Sequence, residues 1–432
     1  MLRNPTLPNH RTLATLFKTC ATLPCLNFGV SLHCLAVKLS LSDEPFTGSS
    51  LINFYSKCRL PKEARKVFNE IPQKDEVCYA AAIVGLAQNS CVSGALRAAA
   101  ELASLEQCKI IHAHAVVTRF DSNVVVGSAV VDGYCKAGLV PDARRCFDEN
   151  LPSMNMVGWN AMMAGYAQQG DPKSTLELFY SMEARGLVLD VYSFLAILTS
   201  FSNRGLFLET EQWLTCMKEN NGLEPWLEHY TCLVGAMGRA GRLEDAERIA
   251  MTMPFEPDAA MWRALLSTCA YHGAERRWGE VAEVRKMMKD RRVKKEGGRS
   301  WVEVQGKVHI FLAGDRRHER SEEIYHKLAE LMEEIEKLGY VPVWCEMLHE
   351  VGEREEKEAL WHHSEKLALA FGVVSGAVPL GKAIRIVKNL RICKDCHHAF
   401  KYTSRVLEKE IIVRDVNRYH RFLNGSCTCG DI

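Results

Sequence analysis

The 432-residue sequence carries almost no net charge, with 54 Lys and Arg against 53 Asp and Glu for a formal +1. A chain-wide basic field of the kind that attracts nucleic acid indiscriminately is excluded, so any polyanion site must be local. An uninterrupted apolar run near the roughly 20 residues of a membrane helix is also missing, and no membrane partner is expected. Paired cysteine spacing is absent over most of the length. Of 17 cysteines, those from Cys20 to Cys345 are scattered singly, with no secretory signal peptide, which reads as a reducing compartment. No acid precedes Asp43, whereas Arg3, Arg11, Lys18 and Lys38 are basic, as in transit peptides. At 47% apolar, the chain can form two or three cored domains or one long repeat array.

What is present is, first, an internal repeat. His33, Gly48, Ser49, Tyr55, Lys57, Ala64, Arg65, Phe68 and Glu70 recur as His112, Gly127, Ser128, Tyr134, Lys136, Ala143, Arg144, Phe147 and Glu149. A weaker copy sets Arg239-Ala240-Gly241 against Lys136-Ala137-Gly138 at a longer offset, so the first block is about 24 residues shorter. Within a block the unit is two amphipathic helices. Trp159, Met162, Met163 and Tyr166 follow the i, i+3, i+4, i+7 spacing of one helix face, and Gln169-Gly170 ends that helix. Asp171 then offers an N-cap carboxylate with Pro172 at the first helical position, and Arg185-Gly186 closes the second helix. A hairpin this small cannot bury its own apolar stripes, so successive units must stack into a solenoid with a long accessible face.

Unit boundaries near 45–75, 124–155, 156–190, 191–226 and 227–258 give alternating lengths between 31 and 36 residues. With segments such as "LINFYSKCRLPKEARKVFNEIPQKD" and "VGWNAMMAGYAQQGD", the array resembles that of plant pentatricopeptide repeat proteins of the PLS class. The resemblance implies single-stranded RNA as ligand, one base per repeat. The competing structural reading is a protein-binding solenoid of similar period, against which the length variation argues. One unit departs from the pattern: 76–91 begins a standard motif and jumps at Cys91-Val92-Ser93 into another, as though most of a second helix were deleted.

The C-terminal third changes character. Trp301, Glu303, Gln305 and then Val308, Ile310, Leu312 alternate about Gly306-Lys307, which predicts a hairpin, and 321–338 predicts an amphipathic helix with Ser321 as N-cap. From Lys382 to Arg421 eleven Lys or Arg face only Asp395, Glu408, Glu410 and Asp415, a local basic region suited to a phosphate backbone; the plainer alternative is a solvated positive face.

Two sets of metal-ligand types lie in this region. His363-Ser364-Glu365 is followed, after the strand-like "AIRIVKNLRI", by Cys393-Lys394-Asp395-Cys396. One imidazole and two thiolates at CxxC spacing fit a zinc ion with one open position, which activates water, while Glu365 is placed to move protons. HxE then CxxC is the order found in zinc nucleobase deaminases. Alone, a CxxC is more often a redox pair or half of a structural site. His397, His420, Cys427 and Cys429 make a second, closed set, with His398 as an alternative to His397 and a frayed tail with a chance CxC as the plain reading.

Residues 300–432, through "SWVEVQGKVHIFLAGD", "HSEKLALAFG", "IRIVKNLRICKDCH", "IIVRDVNRYHRF" and "CTCGD", resemble the DYW domain, the cytidine deaminase that ends many plant organellar RNA editing factors. The resemblance implies a catalytic zinc on His363, Cys393 and Cys396, Glu365 as proton shuttle, and a second zinc on His397, His420, Cys427 and Cys429, hence two Zn2+ per chain. It departs at the terminal Gly430-Asp431-Ile432, where the Tyr and Trp of the family triplet are missing. It departs again at Gly297 and Arg299, where the family has Pro and Cys, and in the spacer 267–290, which joins the start of one extension motif to the end of the next.

The expected fold is thus an all-α helical-hairpin solenoid followed by an α/β zinc cytidine-deaminase-like domain. Residues 1–10 are a remnant of a targeting segment in an N-terminus that need not be complete. The array spans 11–258, shortened extension motifs 259–299 and the deaminase domain 300–432. The implied function is site-specific C-to-U editing of organellar RNA. The alternative is a non-catalytic RNA-binding factor whose zinc domain is an interaction module. Expected partners are single-stranded organellar RNA and accessory organellar editing factors, with no DNA, in the mitochondrion or, as the alternative, the chloroplast.

In the family the fifth and last residues of a unit face one base, and units run parallel to the RNA from 5′ to 3′. Ser128 with Asn155 then implies A, Asn160 with Asp190 implies U, Leu195 with Trp226 implies no base, Thr231 with Asp258 implies G, and Ser49 with Asp75 an earlier G.

Overall fold

The structure, a computed structural model, describes residues 7–23, 25–89, 91–271, 297–343, 360–376 and 382–430. The expected segment 1–10 is described only from residue 7. The spacer beyond Tyr271 and the terminal Asp431-Ile432 lie outside the described residues.

The chain divides into two compact units between Gly158 and Trp159. The first contains α1 (His10–Thr22), α2 (Leu26–Lys38), α3 (Pro45–Lys57), α4 (Pro61–Glu70), α5 (Glu76–Gln88), α6 (Val92–Glu101), α7 (Leu105–Val117), α8 (Val124–Lys136) and α9 (Val140–Glu149). Pro45 and Pro61 open α3 and α4, where the missing amide hydrogen leaves no bond unmade. The 79-residue repeat visible from Tyr55 to Tyr134 has a physical counterpart: His33 Nδ1 lies 2.8 Å from Tyr55 Oη, and His112 Nδ1 lies 2.9 Å from Tyr134 Oη. Each pair ties a second helix to the first helix of the next hairpin. Burial pushes both imidazoles down and both phenols up, to about 12, so the pairs are neutral near pH 7. At the irregular unit, α5 packs on α3 and then directly on α6, which corresponds to α1 and pairs with α7; the helix that would follow α5 within its own unit is absent there.

The second unit opens with most of α10 (Met156–Gln169) and continues through α11 (Pro172–Ala184), α12 (Val191–Asn203), α13 (Phe207–Glu219), α14 (Leu227–Arg239), α15 (Leu243–Thr252) and α16 (Ala259–Tyr271). Asp171 caps α11 as its sequence predicts, accepting from Ser174 N at 3.1 Å. Gly170, at φ +67°, makes the left-handed turn between α10 and α11. First helices stack in a row, α12 on α14 on α16, over a core that includes Leu198, Val234, Met261 and Trp262.

The C-terminal part is a six-stranded sheet in the order β2-β1-β3-β4-β5-β6, formed by β1 (Arg299–Val304), β2 (Lys307–Leu312), β3 (Ile384–Lys388), β4 (Ile411–Arg414), β5 (Tyr419–Leu423) and β6 (Ser426–Cys427). Only β3 and β4 run parallel. Helices α17 (Ser321–Lys337), α18 (Ser364–Val374) and α19 (Lys394–Val406) enclose a core containing Val302, Phe311, Leu328, Phe371, Ile386, Phe400 and Phe422. Two sequence expectations shift by one residue. The hairpin turn is Gln305-Gly306, since Val304 pairs with Lys307 and both turn residues have positive φ, which matches strand twist better than Gly306-Lys307. The N-cap of α17 is Arg320, not Ser321, which is already helical.

Candidate functional site

Each fifth-position residue expected to read a base stands at the fifth position of a first helix, Ser49 on α3, Ser128 on α8, Asn160 on α10 and Thr231 on α14, and its partner Asp75, Asn155, Asp190 or Asp258 stands just before the next first helix. Two of the four pairs are joined by side chains. Ser128 Oγ donates to Asn155 Oδ1 at 2.7 Å, and Asn160 Nδ2 donates to Asp190 Oδ1 and Oδ2 at 3.0 and 3.1 Å. Asn155 Oδ1 also accepts from Gly158 N, which leaves its amide N–H groups to face a ligand. The other two pairs are not joined. The Ser49 and Thr231 hydroxyls donate to the carbonyls of Phe46 and Leu227, while Asp75 and Asp258 cap the following helices at Cys78 N and Met261 N. Ser49 and Ser128 are buried, while the last residues, Asp75 and Asn155, are half-buried, so the more accessible partner in those units is the last residue.

Sequence reasoning missed a second row. Three positions before the fifth residue lie Phe46, Val77, Val125, Val157 and Tyr192, all exposed by about half. Their signal was an apolar residue at the second position of these five helices, where α14 has Glu228, and a periodicity search assigns such residues to the core. In the unit whose pair implies no base, Tyr192 and Trp226 meet edge to face with centroids 5.6 Å apart.

In the sheet domain, two helix starts bring the first ligand set together. His363 precedes α18 and Glu365 lies in its first turn; Cys393 is the N-cap of α19 and Cys396 lies in its first turn. His363 Nδ1 is 3.5 Å from Cys393 Sγ and 3.4 Å from Cys396 Sγ, and one carboxylate oxygen of Glu365 joins the same cluster within 4.8 Å. The Cys396 thiol beside it and the His363 imidazole hold Cys393 well below the usual thiol range, against burial, while burial keeps Cys396 up. Burial alone would raise the Glu365 carboxyl, but the Lys388 ammonium, with which it forms a buried ion pair, and His363 hold it down to about 2. Glu365 Oε2 takes that pair and a bond from Ser364 Oγ, whereas Oε1 is buried without any hydrogen-bond partner. A buried carboxylate oxygen left so, in a residue gathered with two thiols and an imidazole, suits a cation or water.

The second set is assembled by β5, β6 and α19. His397 Nε2 is 3.1 Å from Cys429 Sγ and His420 Nδ1 is 3.9 Å from Cys427 Sγ, and all four ligand atoms lie within 4.8 Å of one another. His398, the alternative, lies outside the cluster, its ring against Tyr340 and Tyr402. Both donor sets fit zinc: one imidazole with two thiols and a carboxylate, and two imidazoles with two thiols.

Behind the CxxC, Asp395 accepts from Tyr340 Oη at 2.5 Å, Val343 N at 2.9 Å and Lys366 Nζ at 2.6 Å, a fully buried ion pair. The basic region needs a correction here: Lys388 and Arg418 are buried, as are Asp395 and Asp415, so these four do not form a solvated rim. A count along the sequence cannot separate them from Lys394 or Arg421.

Residues 339–432 match the model of the DYW family of nucleic acid deaminases. Residues 154–203, and 49–75, 128–149 and 228–253, match pentatricopeptide repeat models. Among relatives in Arabidopsis thaliana, pentatricopeptide repeat-containing protein At4g14850 is 35% identical over 479 aligned residues, covering 98% of this chain and 70% of that protein. The mitochondrial protein At2g03880 is 33% identical over 484, covering the whole chain and 76% of that protein. At4g33170 is 36% identical over 473, and the chain spans only 48% of its length. These alignments are longer than the chain, so the relatives hold residues without counterpart here. A crystal structure of the pentatricopeptide repeat protein PPR10 with an 18-nt psaJ RNA element overlaps 68% of this chain and 52% of that one at 16% identity and TM-score 0.44.

Proposed function

Because the chain belongs to the pentatricopeptide repeat-containing proteins and ends in a DYW-type deaminase domain, we propose that it binds single-stranded organellar RNA and converts a selected cytidine to uridine. The observation that carries this reading is the cluster of His363, Cys393, Cys396 and one Glu365 carboxylate oxygen, in a carboxylate whose Oε1 is buried without a hydrogen-bond partner. Those three residues hold the catalytic zinc, and His397, His420, Cys427 and Cys429 hold the second. A zinc ion in the first site supplies Lewis acidity that brings the pKa of water toward neutrality. Glu365 Oε1 accepts a proton on the attacking side and returns it to the departing nitrogen of cytosine.

The array, 11–258, selects the site. The order A-U-N-G follows from Ser128 with Asn155, Asn160 with Asp190, no selection by Leu195 with Trp226, and Thr231 with Asp258; Ser49 with Asp75 adds an earlier G. The free amide of Asn155 supports A, because it can donate to a purine ring nitrogen. Exposed Tyr192 and Trp226 support N, because every base offers a face for stacking. Mitochondrial residence, with the chloroplast as alternative, and accessory editing factors belong to the same proposal; the name of At2g03880 supports the former.

The second reading, RNA binding without catalysis, is favoured by the Lys388 pair, which engages the proposed shuttle. Comparing organellar transcripts of a line lacking this gene with wild type decides between them. Loss of C-to-U conversion downstream of A-U-N-G is expected; unchanged editing with altered processing contradicts the catalytic reading.

A further inference from the structure

The turn between β4 and β5 is held by one carboxylate. Asp415 Oδ1 accepts from Asn417 N at 2.8 Å and Arg418 N at 2.9 Å, closing the turn on itself. Its other oxygen meets a residue of the second cluster and the backbone next to the first. Asp415 Oδ2 lies 3.3 Å from His420 Nε2 and accepts from Ile392 N, beside Cys393, at 3.1 Å. With Nε2 turned to the carboxylate, His420 presents Nδ1 to Cys427. A carboxylate on the far nitrogen fixes the tautomer and ring orientation of an imidazole ligand.

The outer side of the turn meets the repeats. Asn203, the last residue of α12, donates from Nδ2 to Asn417 O at 3.0 Å and accepts at its carbonyl from Arg418 Nη1 at 3.2 Å. It also donates to Ala167 O at 3.1 Å on α10, so it bridges two first helices to the turn. Asn89, just after α5, makes the corresponding contact to the preceding first helix in the other unit, at Ser56 O, and bonds Gly85 O of its own helix. Arg239, at the end of α14, is pushed down by burial and by the Arg418 and Arg391 guanidiniums, and Asp415 is the anion among them.

We propose that Asp415 is a positioning residue shared by both ligand clusters, and that Asn203 seats the turn carrying it, so that docking of the repeats on the deaminase domain sets how firmly the second cluster holds its metal. The inference rests on the zinc reading above. It assigns to a repeat residue a task outside RNA reading, and it couples the array to the metal sites through one hairpin turn rather than through the spacer. A carboxylate behind a metal-bound histidine is commonly worth about 10–100-fold in metal affinity.

The test uses the full zinc-loaded chain and a chromogenic chelator, 4-(2-pyridylazo)resorcinol, to time the release of each ion, with the cobalt-loaded absorption spectrum as a second readout. Wild type should release two equivalents slowly. Asp415→Asn should release one of them about tenfold faster or more and shift the absorption bands of one cobalt ion. Asn203→Ala should speed that same phase by a smaller factor, and Asn89→Ala should leave it unchanged. Folded Asn203→Ala with wild-type release and spectrum overturns the coupling, whether or not Asp415→Asn folds. If Asn89→Ala acts as strongly as Asn203→Ala, the effect is general loosening of the repeats and the proposal is equally overturned. A wild-type chain that binds no metal removes the zinc reading itself, a failure distinct from either.

Discussion

The repeats and the sheet domain bury different chemistry. Among the described residues of the helical array, the buried polar side chains are neutral, namely Ser, Thr, Asn203 and His229, with the Arg239 guanidinium as the charged exception. Apart from Arg239, which packs beside Arg418 and Asp415, every buried Asp, Glu, Lys or Arg among the described residues lies in the C-terminal domain: Glu365, Lys366, Lys388, Asp395, Asp415 and Arg418. Each touches a metal-ligand set, sits beside one in sequence, or pairs with a residue that does. Buried ion pairs return little stability for their desolvation, and an apolar pair of similar volume often serves as well. Their confinement to the ligand clusters marks that region as built for chemistry, whereas the array is built for stacking and for presenting its edge residues.

That contrast can be broken most severely at the second cluster. Structural zinc in small domains contributes an apparent ~10–16 kcal/mol of binding free energy that is also folding free energy. Cys427→Ser with Cys429→Ser should therefore abolish the domain's cooperative melting transition while the helical circular dichroism of the array persists. Retention of the transition would mean that the cluster is not structural. Next in size is Asp395→Ala, which strands a buried ammonium at Lys366 and should cost about 3–5 kcal/mol in denaturant melts. Adding Lys366→Met should recover part of that loss; a double variant as damaged as the sum of both singles would deny that the pair is coupled.

Smaller effects belong to the array. Asp258→Asn should turn the preference opposite 227–258 from G to A, a change on the order of 1–3 kcal/mol for one mispaired base. Equal binding of both RNAs by both proteins would remove the base assignment. Smallest are Tyr55→Phe and Tyr134→Phe, each losing one neutral hydrogen bond to a histidine, worth about 1 kcal/mol. Equivalent losses would confirm that the two copies are mechanically alike, and a large difference would show that they are not.

Much of this was legible in the sequence because it is written in periodicity and spacing. Trp159, Met162 and Met163 mark a buried helix face, and all three are buried. His363 with Cys393 and Cys396 follows from ligand type and order, and the structure gathers them into one cluster. The charged partners were not legible. Lys388, Asp395 and Asp415 look in the sequence like ordinary members of a basic stretch, and only the tertiary fold buries them against Glu365, Lys366 and His420. The two aspartates expected to read G were legible as residue types but not as geometry, because Asp75 and Asp258 are engaged as helix caps rather than by their fifth-position partners.

The most direct measurement of the central claim is C-to-U conversion in a single-stranded RNA carrying A-U-N-G upstream of a cytidine, with the zinc-loaded chain and its Glu365→Ala and Glu365→Gln variants assayed for binding in the same samples. Wild type should convert the cytidine, and neither variant should do so measurably, with affinities equal within about twofold because the carboxylate moves protons and contributes little to binding. Conversion by either variant near the wild-type rate, or tight binding by zinc-loaded wild type with no conversion at all, would contradict the assignment of Glu365 as the shuttle of an RNA cytidine deaminase.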